Sequence, residues 1–109
     1  MSDKSFPVTP DGRYFVVKER LWRCTNPNLS EAARDGWTRS LMRARSAVRH
    51  ARTDEALREA RARVHEAKVH LGERGPVWWE DGAKDVNRHH PKNTVYAGWW
   101  ARLAGEDRS

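Results

Sequence analysis

At 109 residues the chain is long enough for one modest hydrophobic core and reads as a single domain. Apolar residues make up 38% and charged residues 33%, and 21 basic against 15 acidic side chains give a net charge of +6, so the six tryptophans are needed to complete a core. The lone Cys24 excludes an internal disulfide, a thiolate zinc cluster and a CxxC redox pair, and no apolar run approaches the roughly 18 residues of a membrane span.

Residues 1–28 read as a short leader followed by a β-hairpin. Pro10-Asp11-Gly12 is a turn signal, and Tyr14-Phe15-Val16-Val17 and Leu21-Trp22 are strand-formers on either side of a Lys18-Glu19-Arg20 tip. Asn26-Pro27-Asn28 closes the segment.

Residues 29–73 read as an antiparallel αα-hairpin. Asn28 with Glu31 has the spacing of a capping box, and the apolar positions Ala33, Trp37, Leu41, Ala44, Val48 and Ala51 follow at helical intervals. Thr53-Asp54 opens a second helix, whose stripe is Leu57, Ala60, Val64, Ala67 and Leu71. Gly72 is its expected left-handed stop.

Residues 74–109 read as an irregular aromatic and polar tail, with a final helical turn or two between Tyr96 and Leu103. Together these segments predict a mainly α fold: a helical hairpin, a small N-terminal β-hairpin and a Trp-rich C-terminal segment packed across them.

The positive charge is concentrated on the first helix, where six arginines face only Glu31 and Asp35. At about 100° per residue, Arg34, Arg45, Arg49 and Arg52 collect on one flank of its apolar stripe. On the second helix Arg58, Arg61, His65 and Lys68 gather on one flank, and Glu55, Glu59 and Glu66 on the other. Such a surface suits the phosphates of a nucleic acid, whose condensed counterions the guanidinium groups displace. The alternatives are an acidic protein partner, or a solvated helix face whose arginine stems cover apolar surface.

The tail offers a second set of candidates: Glu73, Arg74, Trp78, Trp79, Asp81, Asp85, Asn87, Arg88 and His89. Trp78 and Trp79 beside Arg74 and Arg88 have the composition of a stacking platform, and equally that of a core cover or a protein-docking surface. Asp81, Asp85 and His89 would align as metal ligands on a helix, but Gly82, Asn87 and Pro91 oppose a regular helix there, so no metal site is expected. Glu73, Asp81, Asp85 and His89 also contain the groups for acid–base chemistry in a small pocket. No activated nucleophile and no phosphate-binding glycine loop accompanies them, so no catalytic residue and no cofactor are assigned.

Several stretches together, among them Pro10 to Val17, Leu21-Trp22-Arg23-Cys24, Gly72-Glu73-Arg74-Gly75-Pro76-Val77-Trp78-Trp79, Asp81-Gly82, Asn87-Arg88-His89 and Asn93-Thr94, resemble a family of small bacterial, mostly proteobacterial, proteins. Some of its members carry the label "biopolymer transporter Tol". The resemblance runs from Pro7 to Trp99, with Lys84 and Val95 departing from a pattern that favours proline at both positions. It implies a shared tail motif and brings no activity with it. The transporter label has no counterpart in these residues, which hold neither an apolar span nor a signal-peptide-like apolar segment. The function expected from the whole sequence is that of a small cytoplasmic binding protein, with nucleic acid as the leading partner, a protein docked on the tail as the alternative, and no membrane partner.

Overall fold

The computed structural model describes residues 6–108, with side chains described through Leu103; the start of the leader and Ser109 lie outside the described residues. The elements are strands β1 (Tyr14–Val17) and β2 (Arg20–Arg23), helices α1 (Glu31–His50) and α2 (Asp54–Leu71), a 3-10 turn at Pro91–Asn93 and helix α3 (Ala97–Arg108). They fall into two compact units: Thr25–Glu80 forms the helical unit, and Met1–Cys24 with Asp81–Ser109 forms the other. The aromatic tail is therefore divided between them.

The helical unit is an αα-hairpin whose ends are set by side-chain caps. Ser30 accepts a hydrogen bond from the Ala33 amide at 3.1 Å, and Thr53 accepts one from the Ala56 amide at 3.0 Å. Ser30 rather than Asn28 is the cap of α1, because the Asn26 carboxamide oxygen takes the Asn28 amide and folds that segment into an Asx turn. Leu41, Ala67 and Leu71 form the buried centre, with Leu29, Trp37 and Val64 packed around them. Each buried leucine contributes about 2 kcal/mol. Ala44 and Ala60 are buried as well, and their small side chains permit close helix approach. Trp37 stacks on the His70 ring at 3.9 Å with the planes parallel, while Trp79 is buried with Trp78 edge-on at 5.1 Å.

Gly72 ends α2 with φ +85°, its amide bonded to the Val69 carbonyl and the Glu73 amide bonded to the Lys68 carbonyl. A Cβ there would lie 2.8 Å from the Asn26 Cβ and 2.9 Å from Trp78 Cδ1. Two further bonds fasten this corner: the Asn26 amide donates to the Leu71 carbonyl at 2.8 Å, and the Thr25 hydroxyl donates to the Glu73 carboxylate at 2.6 Å. Glu73, a tail candidate in the sequence, thus closes the base of the hairpin. We expect Gly72→Ala to lower stability in urea unfolding by about 2–3 kcal/mol, the left-handed conformation supplying roughly half and the contacts with Asn26 and Trp78 the rest.

In the other unit β1 and β2 pair antiparallel, Tyr14 opposite Arg23 and Val17 opposite Arg20. The tip is a two-residue turn, Lys18-Glu19, with φ of 54° and 64°, the positive pair that a type I′ turn requires. Arg20 belongs to β2 and not to the tip. Tyr14, Val16, Leu21 and Arg23 point inward and are buried, while Phe15, Val17, Arg20 and Trp22 alternate with them. Both hairpin edges are covered. The Pro7 carbonyl accepts from the Val16 amide and Thr9 donates to the Tyr14 carbonyl on one side; on the other the Leu21 amide donates to the His89 carbonyl and Arg88 donates back to Leu21. Tyr96 packs edge-on to Tyr14 at 5.7 Å, with Pro91 fully buried nearby in sequence. α3 begins at Ala97 and runs for 12 residues, longer than the turn or two expected.

Candidate nucleic-acid interface

Two of the arginines that sequence places on the flank of α1, Arg45 and Arg49, meet Arg61 of α2 across the helix seam. With Arg74, from the segment after α2, they line a groove of about 520 Å³ whose remaining lining is Val48 and Val64. The groove wall contains four guanidinium groups and no carboxylate. Arg45, Arg49 and Arg61 are exposed and form no ion pair among the described residues. Arg74 is half-buried, with Nη1 3.4 Å from Nδ1 of His65, so an imidazole also borders the site. Glu66 of α2 lines a separate hollow of about 270 Å³ with Trp37, Ser40, Arg43, Ala44 and Arg63.

The other basic candidates are placed differently. Arg34 lies 4.0 Å from its neighbour Asp35 on an exposed surface, and Arg52 follows the end of α1. Arg58 shares a shallow hollow with Asp54, Leu57 and Arg61, and Lys68 is half-buried in the last turn of α2. In the sequence Arg74 belongs to the tail. Its place in the groove follows from the sharp turn at Gly72, which brings the chain back beside the helices.

The polar residues of the tail are absorbed by the unit that contains the β-hairpin. Asp85 is the centre of that network. It accepts from the Tyr14 hydroxyl and from Arg23 Nη2, each at 2.9 Å, and from the Asn87 amide at 3.0 Å. The Arg23 side chain is only 2% exposed, so this carboxylate neutralises a buried charge. Asn87 Oδ1 accepts from the Arg23 amide, and the Tyr14 hydroxyl also accepts from the Val86 amide. Asp81 pairs with Arg13, whose guanidinium holds the Asp81 carboxyl below its usual range. His89 contributes its backbone carbonyl to Leu21, and Arg88 lies over the Trp22 ring at 5.8 Å. Among the described residues no group of three or more His, Cys, Asp or Glu side chains is arranged to hold a metal ion.

Asp11 is a second hub. Burial pushes its carboxyl up, but hydrogen bonds from Tyr96, Thr9 and the Arg13 amide outweigh that effect and leave it below the ordinary value. The tyrosines move the other way. Burial raises Tyr14 to about 12, helped by its bond to Asp85, and burial and the Asp11 carboxylate raise Tyr96. Neither network was legible as a set of pairs in the sequence, although Arg23 shares the parity of Leu21 and so belongs to the inward face of its strand.

No protein-family model, curated protein or solved structure matches the chain. No described helix is long and apolar enough to cross a membrane.

Asp85→Ala should destabilise the protein by about 2–4 kcal/mol in denaturant titrations, because it strands the buried Arg23 charge and leaves Tyr14 without its acceptor. Asp81→Ala should leave the midpoint nearly unchanged, its carboxylate being more than half exposed. The tyrosines set an alkaline limit. A raised folded pKa gives stability that is intact below the unfolded value of about 10 and is lost as pH rises through the folded value. Thermal melts followed by circular dichroism should therefore show falling stability from about pH 10 upward, and Tyr14→Phe should flatten that fall.

Proposed function

We propose that this chain is a small cytoplasmic nucleic-acid-binding protein whose contact surface is the groove of Arg45, Arg49, Arg61 and Arg74 between α1 and α2. The observation that carries this reading is the convergence of four guanidinium groups without a carboxylate in the wall. Like charges brought together on rigid helices repel one another, and a phosphate backbone removes that repulsion while releasing counterions. Arginine suits the task, since its planar fork pairs with two phosphate oxygens at once. Val48 and Val64 complete the lining with apolar side chains. Because the groove presents guanidinium groups toward phosphates, the reading implies affinity with little dependence on sequence.

The alternative, a protein partner docked on the Trp-rich tail, has less support. Trp79 is buried and Trp78 packs edge-on against it, which favours a core role for the pair. A pocket enzyme built on Glu73, Asp81, Asp85 and His89 has less still, since the three carboxylates have internal partners.

The test is fluorescence anisotropy of labelled duplex DNA and RNA over a series of salt concentrations. Four phosphate contacts give a slope of log affinity against log salt near about −3.6, and Arg45→Glu with Arg49→Glu should cut affinity by at least an order of magnitude and reduce the slope by about two. Arg34→Glu, away from the groove, serves as the control and should do little. Equal affinity of the double variant and the parent would refute the groove as a phosphate site.

A further inference from the structure

The unit that contains the β-hairpin carries an aromatic surface that its own core does not use. Strand alternation sends Tyr14, Val16, Leu21 and Arg23 inward and leaves Phe15 and Trp22 as opposed neighbours on the outward face. Val8 bridges to Phe15 along the β1 edge, and Phe6 meets the Phe15 ring at 6.0 Å. Phe6 is 47%, Val8 50% and Trp22 37% exposed, so this face stays in contact with water.

Its rim is cationic. The Arg88 guanidinium lies over the Trp22 indole at 5.8 Å, and Arg20 Nη1 donates to the Arg88 carbonyl at 3.2 Å. Arg88 adopts φ +74°, a conformation that a side chain with a Cβ disfavours, and it does so where its guanidinium covers the indole. Glu19, at the turn, lies 3.9 Å from His90 Nε2.

We infer that the outward face of the β-hairpin, with Phe6, Phe15, Trp22 and Arg88, is a stacking platform for the bases of a single-stranded nucleic acid. Three features select that occupant. The exposed groups are largely aromatic and so match the flat faces of unpaired bases. Arginine stacks on π-systems as readily as it pairs with phosphate, so Arg88 can hold a base or its linkage at the edge of the indole. A second copy of the chain fits less well, because its identical face would bring a rim with the same arginines, Arg20 and Arg88. The platform lies within one unit and does not rest on the arginine groove of the other.

Labelled oligo(dT) and oligo(rU) strands, and a duplex of equal length, titrated by anisotropy at low and high salt, test the assignment. Trp22→Ala should weaken single-strand binding by about tenfold and leave duplex binding unchanged, and the difference should persist at high salt because stacking releases few counterions. Trp22→Phe should restore most of the loss. Arg88→Gly should weaken single-strand binding without lowering the melting temperature, since glycine accepts the positive φ; a purely structural arginine would show the reverse. The inference is overturned if the parent binds no single strand. It is also overturned if Trp22→Ala binds single strands as the parent does, or if strand and duplex weaken equally. A change in sedimentation mass for Trp22→Ala, with nucleic-acid affinity intact, would assign the face to self-association instead. Failure of the groove reading is separately visible, as a duplex affinity that ignores the charge reversals while Trp22→Ala still weakens the single strand.

Discussion

One buried charge organises the unit that contains the β-hairpin. The register of β1 and β2 sends Arg23 inward beside Tyr14, Val16 and Leu21, where its guanidinium has almost no water. An isolated charge in that position is untenable, so a carboxylate must arrive from elsewhere in the chain. Asp85 supplies it, more than sixty residues later, with Oδ2, and takes the Tyr14 hydroxyl and the Asn87 amide with Oδ1. The bonds of Leu21 to His89 and of Leu21 to Arg88 then lay the irregular segment along β2. A stretch with no regular element of its own is thereby fixed residue by residue. Asp11 repeats the device at smaller scale, joining Thr9, the Arg13 amide and Tyr96.

The helical unit rests on different physics. Its seam is small-residue packing, with Ala44 and Ala60 between the helices, and its stability comes from a few leucines and the Trp37 ring stacked on His70. Side-chain hydrogen bonds fasten its ends. Among the described residues Arg45, Arg49 and Arg61 form no ion pair, in contrast to Arg13 and Arg23, whose carboxylates are committed.

What the sequence disclosed follows that difference. Periodicity reports packed helix faces directly, so Leu41, Ala44, Ala60, Ala67 and Leu71 were legible as a seam, as was Gly72 as its stop. Arg45, Arg49 and Arg61 were legible for the same reason, because helix geometry converts spacing into a shared flank. Arg74 was not, since its place depends on a turn whose direction no periodic rule gives. The cap of α1 was misassigned because Asn26 competes for the Asn28 amide, a local choice between two acceptable hydrogen bonds. Tail residues were harder still. Asp81, Asp85, Asn87 and His89 have the composition of a reactive site, and only their long-range partners reveal them as fasteners of the hairpin.

The corner around Gly72 also bears on how the chain finds its fold. Residues 25–80 interrupt the other unit in sequence, so the halves of that unit must meet across a long intervening stretch. For a flexible stretch the entropic toll of such a meeting grows with its length. The α1–α2 hairpin needs only local contacts and forms on the faster timescale of helical pairs. Once Thr25 bonds Glu73 and Asn26 bonds Leu71, the first and last parts of the insert are held side by side, and the effective length left to close becomes short. The glycine that ends a helix thus also draws the first and last parts of the insert together, and so shortens the closure left to the residues on either side.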